Sequence, residues 1–232
     1  MHILFVCTGN LCRSPVAERL AAVWARESLA DHPGLADLEI GSAGVRARAG
    51  QELDPASARA LEQLGGDPQG FRSRPLTVDL MNGAGLVLTM TREHRREALR
   101  LDPRGLRRTF TLPEAADLLL RADLQELPTL PLQARALELG RRLDAARAHR
   151  TGSSTDDVRD PIGQHRAVHE EVASRIATAL RPLVDVLLMG VRTHRSRRSS
   201  PLGGPSELRH ATRQARWPSC HGYRQPQVGQ IS

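Results

Sequence analysis

A chain of 232 residues has room for one sizeable domain with an appendage. All 33 of its basic residues are arginine, which excludes a Walker-type phosphate loop and Schiff-base chemistry, since both need lysine. The formal net charge of +7 comes entirely from the segment beginning at Val191, where eight arginines stand against the single acid Glu207; the preceding residues sum to zero and give no reason to expect a nucleic-acid partner. Cys7, Cys12 and Cys220 are too few for a disulfide framework and suit a reducing compartment. Met1 to Val6 is too short, and lacks the charged region, for a signal peptide. Pro182 to Val191 is apolar but reaches about half of the ~20 residues that span a bilayer, and Asp185 interrupts it. A cytoplasmic, monomeric protein without a membrane span is expected.

The first fourteen residues organise the chain. Ile3 to Val6 is apolar without alternation, as in a strand buried on both faces. Cys7-Thr8-Gly9-Asn10-Leu11-Cys12-Arg13-Ser14-Pro15 follows, and Val16 to Glu27 has helical periodicity. Ser14 suits an N-cap and Pro15 a first helical turn. A strand, a tight loop and a helix N-terminus in succession make an anion trap, with loop N–H groups and the helix dipole turned to one point. Gly9 and Asn10 tolerate left-handed backbone. Arg13 offers a planar fork for two phosphate oxygens. Cys7 would sit beneath the anion, where that field favours the thiolate and aligns it as a nucleophile.

The string Val6-Cys7-Thr8-Gly9-Asn10-Leu11-Cys12-Arg13-Ser14-Pro15 resembles the signature of bacterial low-molecular-weight protein tyrosine phosphatases. The resemblance implies a cysteine-dependent phosphatase acting on a phosphorylated protein, with no cofactor and no metal. It gives Cys7 as nucleophile and Arg13 as phosphate ligand. Thr8, Gly9, Asn10, Leu11, Cys12 and Ser14 would be the remaining substrate-binding residues, with Ser14 donating to the Cys7 sulfur. Ser42-Ala43-Gly44 resembles the family's second motif, in which Ser42 helps to hold Asn10. Phe71 stands where many relatives carry a histidine of the same network, so that bond is expected to be missing.

Further along, Glu39 to Ala43 and Leu86 to Met90 read as strands, and Arg107 to Phe110 as a short fourth one. Helices are expected over Ala56 to Leu64 with Asp54 as cap, Arg92 to Leu101 capped by Thr91, Pro113 to Arg121, Leu132 to Arg147 and Gln164 to Met189. The stretch after Pro75 reads only as a polar run. Alternating strands and helices predict an α/β fold: a single three-layer domain over residues 1–189, with a four-stranded parallel sheet flanked by helices. Such sheets bind ligands at the carboxyl ends of their strands. His165, His169 and Glu170 share a helix but lack a third well-spaced ligand, and a solvated face is the expectation. The Arg/Ser/Pro-rich residues 190–232 are expected to be disordered. Arg195 to Arg198 form a basic cluster there, and Trp217, Cys220 and Tyr223 receive no role.

A departing phenoxide needs a proton, and a positioned acid gives about 10²–10⁴-fold. The resemblance assigns that role to Asp160 of Asp160-Pro161, although Asp54-Pro55 and Asp102-Pro103 repeat the dipeptide. Ile162-Gly163 replaces the aromatic residues that follow in many tyrosine-selective relatives. Leu11 stands where relatives acting on phosphoarginine carry threonine, which favours phosphotyrosine or a related aryl phosphate. The alternatives are an arsenate reductase on the same fold and a catalytically silent phosphate-binding module. The first lacks a resolving thiol between Cys12 and Cys220, and the second sits badly with Cys7, Arg13 and Asp160 all present. Cys12 is either a redox partner for Cys7 or a small residue packing inward.

Overall fold

In the computed structural model, residues 1–190 are described, apart from 31 and 151. Apart from Gly190, the segment expected to be disordered, including the Arg195–Arg198 cluster and Cys220, lies outside the described residues.

Strands β1 (His2–Cys7), β2 (Glu39–Gly44), β3 (Leu86–Thr89) and β4 (Thr109–Thr111) form one parallel sheet in the order β2-β1-β3-β4. The helices are α1 (Arg13–Ser28), α2 (Pro55–Gln63), α3 (Val78–Gly83), α4 (Arg92–Leu101), α5 (Leu112–Leu119), α6 (Leu132–Ala146) and α7 (Arg166–Leu188). The unalternating apolar run of β1 has a simple cause. Ile3, Phe5 and Cys7 face a large core with α1, α5, α6 and α7, whereas Leu4 and Val6 face a smaller one with Met81 of α3 and Ala98 of α4. Phe5 and Phe110 are fully buried, each such side chain stabilising the fold by about 1.5–3 kcal/mol.

The structure departs from the sequence reading at several boundaries. The polar run after Pro75 contains α3, six residues capped by Thr77, whose hydroxyl accepts from Leu80 N at 3.3 Å. So short a helix shows no period. The fourth strand begins at Thr109, because Arg107 and Arg108 close a 3-10 turn in which Arg108 bonds Asp102 at 3.0 Å. Ser14 is not an N-cap: α1 already starts at Arg13, and Ser14 is buried within its first turn. α5 opens on a capping box between Thr111 and Glu114. α7 ends before Gly190, whose φ of 73° is the left-handed geometry of a helix stop. Buried Arg135 gathers that end, donating to the carbonyls of Leu187 at 2.9 Å, Met189 at 2.7 Å and Pro128 at 2.7 Å.

Candidate active site

The loop from Cys7 to Arg13 leaves the carboxyl end of the central strand. Its carbonyls are turned outward and taken by neighbouring segments. Val45 N donates to Cys7 O, Arg46 N to Thr8 O and Asp54 N to Leu11 O, each at 2.9 Å. With those carbonyls bonded outside the loop, its N–H groups are the ones left for an anion at its centre. Asn10 alone takes the left-handed conformation, with φ 54°, and Gly9 does not. Gly44 lies directly behind: a Cβ there would come within 2.5 Å of Thr8 O and 2.8 Å of Asn10 N, so the loop can close only on glycine.

Asn10 is fully buried and bonded on every side. Its Nδ2 donates to Ser14 Oγ at 3.0 Å and to Ser42 Oγ at 2.7 Å, and its Oδ1 accepts from Arg74 N at 2.9 Å. Ser42 in turn donates to Glu18 at 2.5 Å, and burial pushes that carboxyl up. The backbone of Arg74 thus completes the network from which the Phe71 position was expected to be missing. Phe71 itself is a core residue, with the Arg19 guanidinium 5.6 Å from its ring centre. Ser14 Oγ lies 3.0 Å from Cys7 Sγ, and both are buried.

Arg13 is 4% exposed. Its Nη1 donates to Val158 O at 3.1 Å and its Nη2 to Asp160 Oδ2 at 2.6 Å. Its Nε–H is buried without a partner among the described residues, a donor free for an anion oxygen. Asp160 reaches the loop from 147 residues away because the segment before α7 is pinned to the sheet: Val158 N donates to Met90 O at 2.7 Å, and Asp157 accepts from Arg92 N at 2.7 Å. Asp160 Oδ1 also accepts from Ile162 N at 3.2 Å, which fixes the turn. These groups border a cleft of about 150 Å³ lined by Cys7, by the apolar side chains of Leu11 and Ile162, and by Arg13 and Asp160. A larger hollow of about 530 Å³ lies between residues 32–37 and 130–135 and is lined by no cysteine, serine or threonine.

Behind the loop, Cys12, Asp54 and His169 bring their polar atoms within 4.8 Å of one another. His169 is therefore not on a solvated face. It is buried, with Nδ1 2.8 Å from Ser57 Oγ and 3.3 Å from Asp54, while His165 is exposed and Glu170 pairs with Arg166. Burial pushes the Cys12 thiol up to about 12, so it stays protonated at neutral pH. Two neighbours of the loop have no signature in the sequence: Arg74, which acts through its backbone, and His94, whose Nε2 is 2.8 Å from Thr8 Oγ1. Only the fold brings His94 across from the first turn of α4.

Residues 2–125 match the family model described as low molecular weight phosphotyrosine protein phosphatase. The chain belongs to that family. Its enzyme class is therefore that of the low molecular weight phosphatases. A protein-arginine-phosphatase of Bacillus subtilis is 40% identical over 114 residues, 49% of this chain and 71% of that protein. A probable low molecular weight protein-tyrosine-phosphatase, EpsP of Ralstonia solanacearum, is 37% identical over 112 residues, 48% of this chain and 70% of its own length. Among solved structures, a mutant of the YwlE arginine phosphatase with a phosphorylated active-site serine superposes with a TM-score of 0.55 at 27% identity, covering 85% of this phosphatase and 99% of that chain. No helix among the described residues is long and apolar enough to cross a membrane.

Proposed function

We propose that this phosphatase hydrolyses phosphotyrosine, or a related aryl phosphate on a protein, through a phosphocysteine intermediate. The observation that carries the reading is the shared cleft: the Cys7 sulfur, the inward-facing loop, the unpartnered Arg13 Nε–H and the Asp160 carboxyl converge on one space. Cys7 Sγ attacks phosphorus. The loop amides and Arg13 hold the non-bridging oxygens, more tightly as negative charge gathers on them. The bond to the leaving oxygen breaks, and Asp160 gives that oxygen its proton. Water then attacks phosphorus, passing a proton to the Asp160 carboxylate, and the Cys7 thiolate departs with a hydrogen bond from Ser14. Thr8, Gly9, Asn10, Leu11 and Cys12 shape the cradle, and Ser42 steadies it through Asn10.

The apolar walls of Leu11 and Ile162 suit an aromatic ring better than a guanidinium. A phosphoarginine substrate is the second reading, favoured by the similarity to the Bacillus subtilis enzyme. Turnover of a phosphotyrosine peptide, a phosphoarginine peptide and a nitrophenyl phosphate separates the two. The proposal expects the tyrosine ester to be cleaved and the phosphoramidate to be a poor substrate; the reverse order overturns the substrate assignment. Asp160→Asn tests the acid. Its loss should reach about 10²–10⁴-fold for phosphotyrosine and be much smaller for the activated nitrophenyl ester, which leaves without a proton. Equal losses on both esters would remove Asp160 from the chemistry.

A further inference from the structure

His94 is unused in that mechanism, yet it touches the phosphate loop. It is 5% exposed, sits in the first turn of α4, and its Nε2 lies 2.8 Å from Thr8 Oγ1. Thr8 Oγ1 also accepts from Arg13 Nη2 at 3.3 Å. A guanidinium can only donate, so that contact occupies a lone pair of the hydroxyl oxygen. The remaining question is which way the hydrogen bond to His94 runs. His94 Nδ1 is buried with no partner among the described residues. A proton on Nδ1 would therefore be an orphaned donor, while a bare Nδ1 leaves only an under-used acceptor. We assign the proton to Nε2 on that ground. A second ring proton is opposed by burial, by the Arg13 guanidinium and by the positive end of the α4 dipole, against the weaker pull of Asp160, Asp157 and Glu93.

With Nε2–H donating, Thr8 Oγ1 accepts twice, and its own hydrogen is left over. Thr8 lines the same cleft as Cys7. We propose that His94 is a positioning residue: it fixes Thr8 as a double acceptor, so that the Thr8 hydroxyl donates into the cleft to a phosphoryl oxygen of the bound substrate. This rests on the phosphatase reading above. A neutral imidazole does this without competing with Arg13 for the anion. A charged residue in its place would either repel the guanidinium or draw it away from the phosphoryl group.

The test is a double-mutant cycle with His94→Leu, Thr8→Val and the pair, read by kcat and KM on nitrophenyl phosphate and by calorimetric affinity for inorganic phosphate. Each single change should lower kcat/KM about tenfold or more, and the pair should be no worse than the weaker single variant, because one donor is lost in every case. His94→Gln, whose side-chain amide can donate across the same gap, should restore most of the rate. Additive losses, or a folded His94→Gln as slow as His94→Leu, would overturn the proposal. Phosphate affinity should weaken in parallel and remains readable if the wild-type chain turns over no ester, which would sink the phosphatase reading alone. An unchanged phosphate affinity in both single variants would overturn the role of His94. If His94→Leu does not fold, Thr8→Val and His94→Gln decide between them: a slow first and a near-normal second support the proposal, and two equal defects contradict it.

Discussion

Asn10 shows how much of the site a single residue can carry and how little of that is written beside it. Its tolerance for a positive φ is legible in the sequence, and so is its place in the loop. Of its three partners, the family resemblance supplied Ser42 of β2; the Ser14 hydroxyl of α1 and the Arg74 amide of a loop could not be read as partners of Asn10 from the sequence. Ser14 misled for a related reason. Serine before proline reads as a helix cap, but the buried Cys7 sulfur and Asn10 amide claim its hydroxyl instead. His169 misled through its face: a histidine among charged helix residues reads as solvated until Ser57 and Asp54 are packed against it. His94 leads to a prediction at this scale. Burial and then Arg13 draw it from 6.5 down to about 4, with Asp160, Asp157 and Glu93 pulling the other way. The unfolded chain, titrating near 6.5, binds more protons between those values. Stability is therefore undiminished above about pH 6.5 and falls as the pH drops towards about 4, by ~3 kcal/mol at most from this group. Thermal melts of the wild type and His94→Gln across that range should diverge on the acid side, the wild type losing more. Parallel curves would mean that His94 is not held neutral.

Elements were legible where they were long or bounded by chemistry. β1 announced itself by an unbroken apolar run, α2 by Asp54-Pro55 and α4 by Thr91. The ends that failed were decided by tertiary partners. The charged start expected for the fourth strand went to a 3-10 turn because Asp102, 2% exposed, takes Arg108. α3 is a single capped turn or so, held by Met81 in the smaller core, and no window of that length carries a period. The backbone of the segment leading to α7 is tied to Met90, just past β3, and to α4, and that tether sets Asp160 beside Arg13. Position within the family's motif singled out Asp160 among four Asp-Pro pairs; the hydrogen bonds explain why that one reaches the cleft.

At the scale of the molecule, we propose that the phosphatase domain closes at Met189. Gly190 and Arg135 support that boundary by stopping α7 and satisfying its last carbonyls from within. Deleting residues 193–232, which carry most of the net positive charge, should leave aryl phosphate turnover and Tm unchanged. A marked loss of either would extend the domain into that segment. In the proposed mechanism Cys7 carries the phosphoryl group between two chemical steps. Mixing the enzyme with excess nitrophenyl phosphate, quenching it in denaturant during the first turnover and locating added mass by peptide mass spectrometry tests this directly. A phosphocysteine mechanism predicts a phosphoryl group on Cys7, formed with a burst of nitrophenol stoichiometric with enzyme, and absent from an inactive Cys7→Ala variant. Turnover with the phosphoryl group on another residue, or retained by Cys7→Ala, would contradict it.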